Sequence, residues 1–342
     1  MKQERIRISD IAEELGLSTA TVSNVIHGKT KKVSEETIKR VQELLEKRQY
    51  IPSMAGILLA QNDSRIIGVV INDHEKYEGH VLEDGYISSS LNALSREIDQ
   101  AGYFMMVKVT AQWNEIVRFA SMWNMAGLVL MGFCEQDYRK LRESMHIPFV
   151  VYDGEFLEEA NICNLVIDDF DGGYQAGTYL KNMGHSRVLC ISDNEVCVDG
   201  RRIDGCRKAL GEDKTGVMVV PMQKEKRMKF YEENLQEILK YTAVFAVSDY
   251  YGAELIHVLQ QKDIPVPEKI SVVGFDDSPL CRYCHPELTT IRQDVEERAQ
   301  NAISALENLK SGTQKQGTIK FPVRLVERES VKKIGEVSEN GE

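Results

Sequence analysis

The sequence predicts an all-α helix-turn-helix unit at the N-terminus, followed by an α/β region folded as two lobes. Three observations carry that expectation. Residues 5–50 hold three short runs with apolar residues at helical spacing. From Ile66 onward, strand-like and helix-like runs alternate, which means parallel sheets covered on both faces. The chain has 342 residues, and an α/β part of about 260 residues is too long for one core.

In the first run Ile11, Ala12 and Leu15 form an apolar face ending at Gly16, where a tight turn needs a positive φ. Ser18 is placed to cap a second helix, in which Val22, Val25 and Ile26 recur until Gly28. Ser34 caps a third, with Glu35 and Glu36 in its first turn and Ile38, Val41 and Leu45 as its buried stripe. Three short helices with a glycine in the first turn are the helix-turn-helix pattern. Residues 51–64 read as a linker. Pro52 keeps Ile51 out of the α region, Ser53 can cap a short helix through Ala60, and Gly56 weakens that helix by about 1 kcal/mol relative to Ala.

The strand RIIGVVI opens the α/β region and is followed by helix SLNALSREIDQAG and strand YFMMVKV. A helix through Phe119, strand GLVLM, a helix around Tyr138–Met145 and strand PFVVY come next. The alternation continues with strand NLVI, helix GGYQAGTYLKNMG, strand RVLCIS, helix RRIDGCRKAL, strand AVFAVS, helix GAELIHVLQQ and strand ISVVGF. Asp171-Gly172-Gly173 before Gly177 is a Gly-rich turn without G-x-G spacing, and close helix–sheet packing accounts for its glycines. The segment after Val331 is polar and reads as frayed. The expected division is therefore 1–50, 51–64, 65–330 and a tail at 331–342.

Net charge is −11, which taken alone argues against a nucleic-acid partner. The first sixty residues run the other way, with ten Lys or Arg against eight Asp or Glu. Their basic groups bunch at Lys2/Arg5/Arg7, Lys29/Lys31/Lys32 and Lys39/Arg40, so only this segment can lie against a polyanion. No apolar run approaches the roughly eighteen residues of a membrane span, and the N-terminus lacks a signal-peptide core, which predicts a cytoplasmic protein away from membranes. The seven cysteines are odd in number and spread from Cys134 to Cys284, as in a reduced protein. Cys281 and Cys284 make one CxxC pair, half of what a structural zinc needs, so neither metal nor cofactor is expected. No GxxxxGK[ST], HExxH or GxSxG occurs, and the adjacent pairs Asp168/Asp169 and Asp276/Asp277 would point to opposite faces of a strand. The chain does not read as an enzyme.

Together ISDIAEELGLSTATVSNVIHG, VSEETIKRVQELLEKRQYIPS, IIGVVI, IDDFDGGYQAGTYLKNMGHSRV, RRIDGCRKAL, VVGFDDS and LTTIRQDVEERAQNAI resemble the LacI/GalR family of bacterial transcription regulators. The resemblance runs from about residue 6 to residue 330 and is most specific at the N-terminus, where turn, caps and hinge coincide. It implies an all-α helix-turn-helix headpiece, a hinge helix, and an α/β two-lobed effector domain resembling type I periplasmic binding proteins. It also implies a homodimer on a double-stranded, pseudo-palindromic DNA operator, controlled by a small-molecule effector.

Residue by residue, the resemblance makes Ser18–His27 the recognition helix in the major groove. Thr19, Ala20 and Asn24 match base-contacting positions: Thr19 can donate or accept, Ala20 can meet a thymine methyl, and Asn24 can pair with adenine. Many relatives carry Arg where Asn24 stands. Thr21, Ser23, His27, Ser34 and Thr37 are candidate phosphate contacts that set register. Leu59 matches a leucine that wedges into the minor groove, and residues 53–60 would fold only on the operator. Arg202, Ser248, Asp249 and Asp276 match effector positions at the carboxyl ends of strands, with Asn72 and Asp73 near the first strand. A carboxylate accepting hydroxyls beside a guanidinium suits a polyol, or equally a purine edge. The stretch HEKYEGHVLEDGYIS departs from the family pattern and is the expected seat of specificity. Trp113 can stack on a sugar ring or serve the core, and Asp277 reads as a cap or solvated carboxylate. The resulting expectation is a repressor of a carbohydrate-utilisation operon. Its alternatives are the same role under a purine or a phosphoprotein corepressor, and a solute-binding protein with no DNA role.

Overall fold

The computed structural model describes residues 6–50, 64–133, 136–154, 162–313 and 317–335. Residues 53–60, including Leu59, lie outside the described residues. The described residues form two compact units, one made of 6–50, 64, 65 and Met122–Ala126, the other of the remaining described residues.

The first unit carries α1 (Ile8–Leu15), α2 (Thr19–Ile26) and α3 (Glu35–Lys47). Asp10 closes the start of α1 by accepting the Arg7 amide at 2.8 Å, and Gly16 ends it with φ 67°. Ser18 caps α2 by accepting the Thr21 amide at 3.1 Å, and Ser34 caps α3 by accepting that of Thr37 at 3.3 Å. Ile11, Ala12, Val22, Val25, Val41 and Leu44 are the buried core. The α3 stripe is thus centred on Val41 and Leu44, with Ile38 and Leu45 at its half-buried margins.

The second unit has two six-stranded sheets. The first contains β1 (Ile66–Ile71), β2 (Phe104–Val109), β3 (Gly127–Met131), β4 (Phe149–Tyr152), β5 (Ile162–Ile167) and β11 (Gly317–Phe321) in the order β11-β5-β4-β3-β1-β2, all parallel. The second contains β6 (Val188–Ser192), β7 (Thr215–Val219), β8 (Ala243–Ala246), β9 (Ser271–Asp276), β10 (Thr289–Gln293) and β12 (Val323–Val326) in the order β12-β10-β9-β8-β6-β7. Only β12 runs antiparallel there, pairing Thr290 with Val326. The chain crosses between the lobes after β5, after β10 and between β11 and β12. Buried strands such as β1, β3 and β4 are continuous apolar runs because helices cover both faces.

Several helices begin earlier than their apolar patterns suggest. The helix Gly85–Gln100 starts at an Asp84 cap, whose carboxylate accepts the amides of Tyr86 and Ile87, each at 3.0 Å. The helix Cys197–Leu210 places Arg202 in its second turn, not at its opening. The strands β7, β10, β11 and β12 and the helices Lys224–Glu233 and Val295–Ser311 were not evident from periodicity. The first of these helices, KEKRMKFYEE, buries Arg227 and Tyr231 rather than an apolar stripe.

The glycines of the turn before Gly177 serve mainly helix-on-helix contact. A Cβ at Gly173 would lie 1.8 Å from the Arg202 carbonyl oxygen, and one at Gly205 would lie 2.0 Å from that of Phe170. This lets the helices Asp169–Asn182 and Cys197–Leu210 touch backbone to backbone. Only Gly172 meets the sheet side, facing the Phe275 ring. Residues 331–335 are docked rather than frayed: Val331 is buried, Ile334 donates to the Met183 carbonyl at 2.7 Å, and Lys332 donates to Ser271 Oγ at 3.2 Å.

Candidate functional site

On α2 the side chains divide cleanly. Val22 and Val25 turn inward, while Thr19, Ala20 and Asn24 are exposed, as are Lys29, Lys31 and Lys32 just beyond. Thr21 pairs its hydroxyl with that of Ser18 at 2.8 Å, and Ser34 pairs with Thr37 at 2.8 Å. These hydroxyls close helix ends in this structure. Ser23 is half-buried, and His27 terminates α2 by donating its amide to the Ser23 carbonyl at 3.0 Å.

Between the two lobes of the second unit lies a cleft of ≈ 780 Å³. One lobe contributes Asn72, Lys76, Tyr77, Asp84, Tyr86, Phe133, Tyr152 and Asp153, the other Asp199, Arg202, Arg227, Ser248, Tyr251 and Asp276, with Gln293 at the end of β10, just before the chain crosses back. Asp276 closes β9 with φ 118°, and its Oδ1 accepts from Gln293 Nε2 at 2.7 Å. Burial pushes its carboxyl well above the usual carboxylate range, against the pull of Arg202 and of the Gln293 bond. Arg202 donates from Nε to Asp169 at 2.8 Å and from Nη1 to the Val247 carbonyl at 2.7 Å. Its guanidinium lies 3.7 Å from the centre of the Phe275 ring and 3.9 Å from Asp276. Arg202 and Asp276 stand on the same lobe, so they do not pair across the cleft. Burial raises Asp169 to about 6, with Arg202 opposing.

Across from them, Arg298 on the helix Val295–Ser311 donates to Asp153 at 2.5 Å, to the Leu165 carbonyl at 2.6 Å and to Tyr86 Oη at 2.9 Å. It also donates to Gln293 Oε1 at 3.2 Å and lies over the Tyr152 ring at 4.2 Å. Gln293 therefore joins the networks of both lobes. On the other lobe, Arg227 is fixed by Glu254 through Nε at 2.6 Å and Nη2 at 3.0 Å.

Of the expected effector residues, Arg202, Ser248, Asp276 and Asn72 line this cleft and Asp249 and Asp73 do not. Asp249 is buried beneath the strand ends, where its carboxylate accepts the Ser278 amide at 2.7 Å and the Thr290 hydroxyl at 2.5 Å. Its position just after β8 starts a helix and turns it inward. Asp73 is exposed. Asn72 spends its amide nitrogen on the Gly132 carbonyl at 2.8 Å, and Ser248 caps the helix Asp249–Gln261. Asp277 is neither cap nor solvated: it is clamped by Arg292 at 2.6 Å and by Arg328. Trp113 packs on Phe133 at 4.9 Å between ring centres and does not line the cleft. The unaligned stretch after β1 does reach the cleft, through Lys76, Tyr77 and Asp84. Sequence reading passed over Gln293, although it ends the strand TTIRQ inside a matched motif. Nothing local distinguishes Arg298.

Residues 7–53 match the bacterial regulatory proteins of the lacI family, and residues 178–331 match the periplasmic binding protein-like domain. The N-terminal unit thus carries a lacI-family segment, and the C-terminal half of the chain a periplasmic binding protein-like domain. The chain is 28% identical to the HTH-type transcriptional repressor PurR of Vibrio atlanticus (strain LGP32), over 96% of the chain and 99% of that protein. It is 29% identical to PurR of Shigella dysenteriae serotype 1 (strain Sd197), over 95% and 96% respectively. Its fold matches the Lac repressor dimer bound to operator and the anti-inducer ONPF, with a TM-score of 0.82 at 23% identity, covering 96% of this chain and all of that one. A CelR–cellobiose complex matches with a TM-score of 0.68 at 21% identity over 95% of this chain and all of that one. The relatives aligned along nearly the whole chain are named as transcriptional repressors, not as enzymes. Among the described residues no helix is long and apolar enough to cross a membrane.

Proposed function

We propose that the chain is a cytoplasmic repressor that binds a pseudo-palindromic double-stranded operator as a homodimer and is controlled by a small molecule held between its lobes. The observation that carries this is the pairing of an exposed Thr19/Ala20/Asn24 face on a capped helix with a cleft built around Asp276 and Arg202. Thr19, Ala20 and Asn24 read bases, while Thr21, Ser23, His27, Ser34 and Thr37 face phosphates and Leu59 enters the minor groove. Selection from random duplex DNA with the purified chain tests the first half. It should return two inverted half-sites, and Asn24→Ala should relax one position in each, losing about 1–3 kcal/mol of discrimination there. Enrichment without an inverted repeat would count against the dimeric reading.

In the cleft, Asp276 can accept two hydroxyls while Arg202, Asn72 and Ser248 orient the ring, which suits a sugar or sugar derivative. A purine is the second reading, favoured by the name PurR carried by relatives aligned along nearly the whole chain. Thermal shift against sugars, phosphosugars, nucleosides and purines separates the two. A ligand at 100 times its dissociation constant adds roughly 2.7 kcal/mol, and Asp276→Asn should abolish the effect. Silence across the panel would favour a phosphoprotein corepressor. Whichever binds, an inducer must prefer the DNA-free arrangement and a corepressor the DNA-bound one.

A further inference from the structure

The helix Lys224–Glu233 begins without a cap of its own. Gln223 precedes it with φ −74° and ψ 128°, and its side chain takes none of the first-turn amides. Those amides are donors with no partner inside the helix. One of them, the Lys224 amide, donates at 2.9 Å to Glu78 Oε2. Glu78 stands on the opposite lobe, in the stretch between β1 and the helix Gly85–Gln100.

That stretch is shaped to deliver the carboxylate. Two short 3-10 turns, Glu75–Tyr77 and Val81–Glu83, flank Glu78 and Gly79, which take φ 50° and φ 80°. A non-glycine residue in the left-handed region is uncommon and persists where its surroundings hold it. The helix N-terminus carries a partial positive charge, so a carboxylate is the favoured partner for it. Two residues before Glu78, Lys76 lines the cleft with its ammonium 5.2 Å from the centre of the Tyr77 ring, and Asp199 lines the same cleft from the opposite lobe.

We propose that residues 74–84 form a strap that latches the two lobes over the cleft, with the Glu78 carboxylate serving as the N-terminal cap of the other lobe's Lys224–Glu233 helix. When the lobes part, the Lys224 amide and Glu78 return to water and the helix start is left uncapped. The strap therefore biases the empty protein toward closure, and a ligand must pass it to reach Asp276. None of this depends on what the cleft binds, so the latch can fail without touching the proposed function, and the reverse.

Hydrogen–deuterium exchange on the full chain, without ligand or DNA, tests it. Glu78→Ala removes the acceptor. Lys224→Pro removes the donor at the first helical position, where proline is tolerated and the extended Gln223 suits it. An N-cap of ordinary strength corresponds to roughly two- to thirtyfold in the equilibrium between closed and open lobes. Each variant should speed exchange of the amides in 74–84 and 194–199 by a factor in that range, and the double variant should add nothing further. Glu75→Ala, on the same strap but outside the cleft, should leave exchange at the wild-type rate. Unchanged exchange in either latch variant, increases that multiply in the double variant, or an equal increase in Glu75→Ala would overturn the latch.

Discussion

The three-helix unit and the two-lobed unit are held together by different physics. The first closes its helix ends with its own serines and buries a handful of aliphatic side chains, Val22 and Val41 completely. The positions proposed to face DNA are spare: Thr19, Ala20 and Asn24 are exposed and lie outside its core. The buried arginines of the cleft are not spare in this way. Arg202, Arg227 and Arg298 are at most 7% exposed, and each is tied to a carboxylate and to backbone carbonyls. Recognition and stability are therefore separable in the headpiece and linked in the cleft. A change of operator preference costs the fold little, whereas a change of effector preference must leave buried charges paired.

The largest effect expected from that contrast is at Arg202. Its removal strands Asp169, which it bonds at 2.8 Å, and withdraws the cation 3.9 Å from Asp276. Breaking a buried pair by deleting one partner costs about 3–5 kcal/mol. Arg202→Ala should lose that much in denaturant unfolding followed through the lobes, while an exposed headpiece change such as Asn24→Ala stays within about 0.5 kcal/mol. Equal losses from the two would erase the distinction.

Ile11→Ala probes the other side. Ile11 is 1% exposed in the small core of the first unit, and truncating a buried isoleucine costs about 2–5 kcal/mol. Small cores have little stability in reserve. The variant should melt the three helices, read by loss of protection in residues 8–47, while the lobes unfold at their wild-type denaturant midpoint. Simultaneous weakening of the lobes would show that the two units are not energetically distinct.

The same contrast governs what the sequence reveals. Ser18, Ser34 and Gly16 act on neighbours within three or four residues, so a linear reading locates the three helices to within a residue or two. The strands buried on both faces are legible for the same reason, as uninterrupted apolar runs. The cleft is assembled from Asn72 to Gln293, and sequence neighbours there diverge: Ser248 faces the cavity while Asp249 turns under the sheet. Resemblance to a family supplied Arg202 and Asp276. It could not supply Lys76 or Tyr77, which fall where this chain departs from the pattern; Arg298 lies inside a matched motif, but its partners Asp153 and Leu165 are distant in sequence, so nothing near it signals its role. The helix Lys224–Glu233 escaped because its buried side chains include an arginine.

Titration gives a smaller effect. Asp249 is 1% exposed, and burial pushes its carboxyl up to about 6 in spite of bonds from Thr290 and Ser278. An unfolded aspartate titrates near about 3.9, so the folded state binds the proton more tightly. The stability this proton contributes is complete below about pH 4 and is lost as pH rises through about 6. The unfolding free energy of the wild type, minus that of Asp249→Asn, should therefore fall by up to about 2–3 kcal/mol across that window and level off above it. A difference that rises with pH would mean that the donors around Asp249 outweigh its burial.

The smallest expected effect separates capping from DNA contact. Ser34 Oγ accepts the Thr37 amide at 3.3 Å and shares a hydrogen bond with the Thr37 hydroxyl at 2.8 Å, so it is engaged within α3. Loss of a serine N-cap costs about 1 kcal/mol, and glycine at the same position only a few tenths. Ser34→Ala and Ser34→Gly should therefore differ in headpiece stability while losing the same hydroxyl from any DNA complex. If both weaken operator binding equally at a temperature where each headpiece is folded, Ser34 reaches a phosphate as well as its own helix. If only the alanine variant binds poorly, and only near its melting point, its contribution to DNA binding is the cap alone.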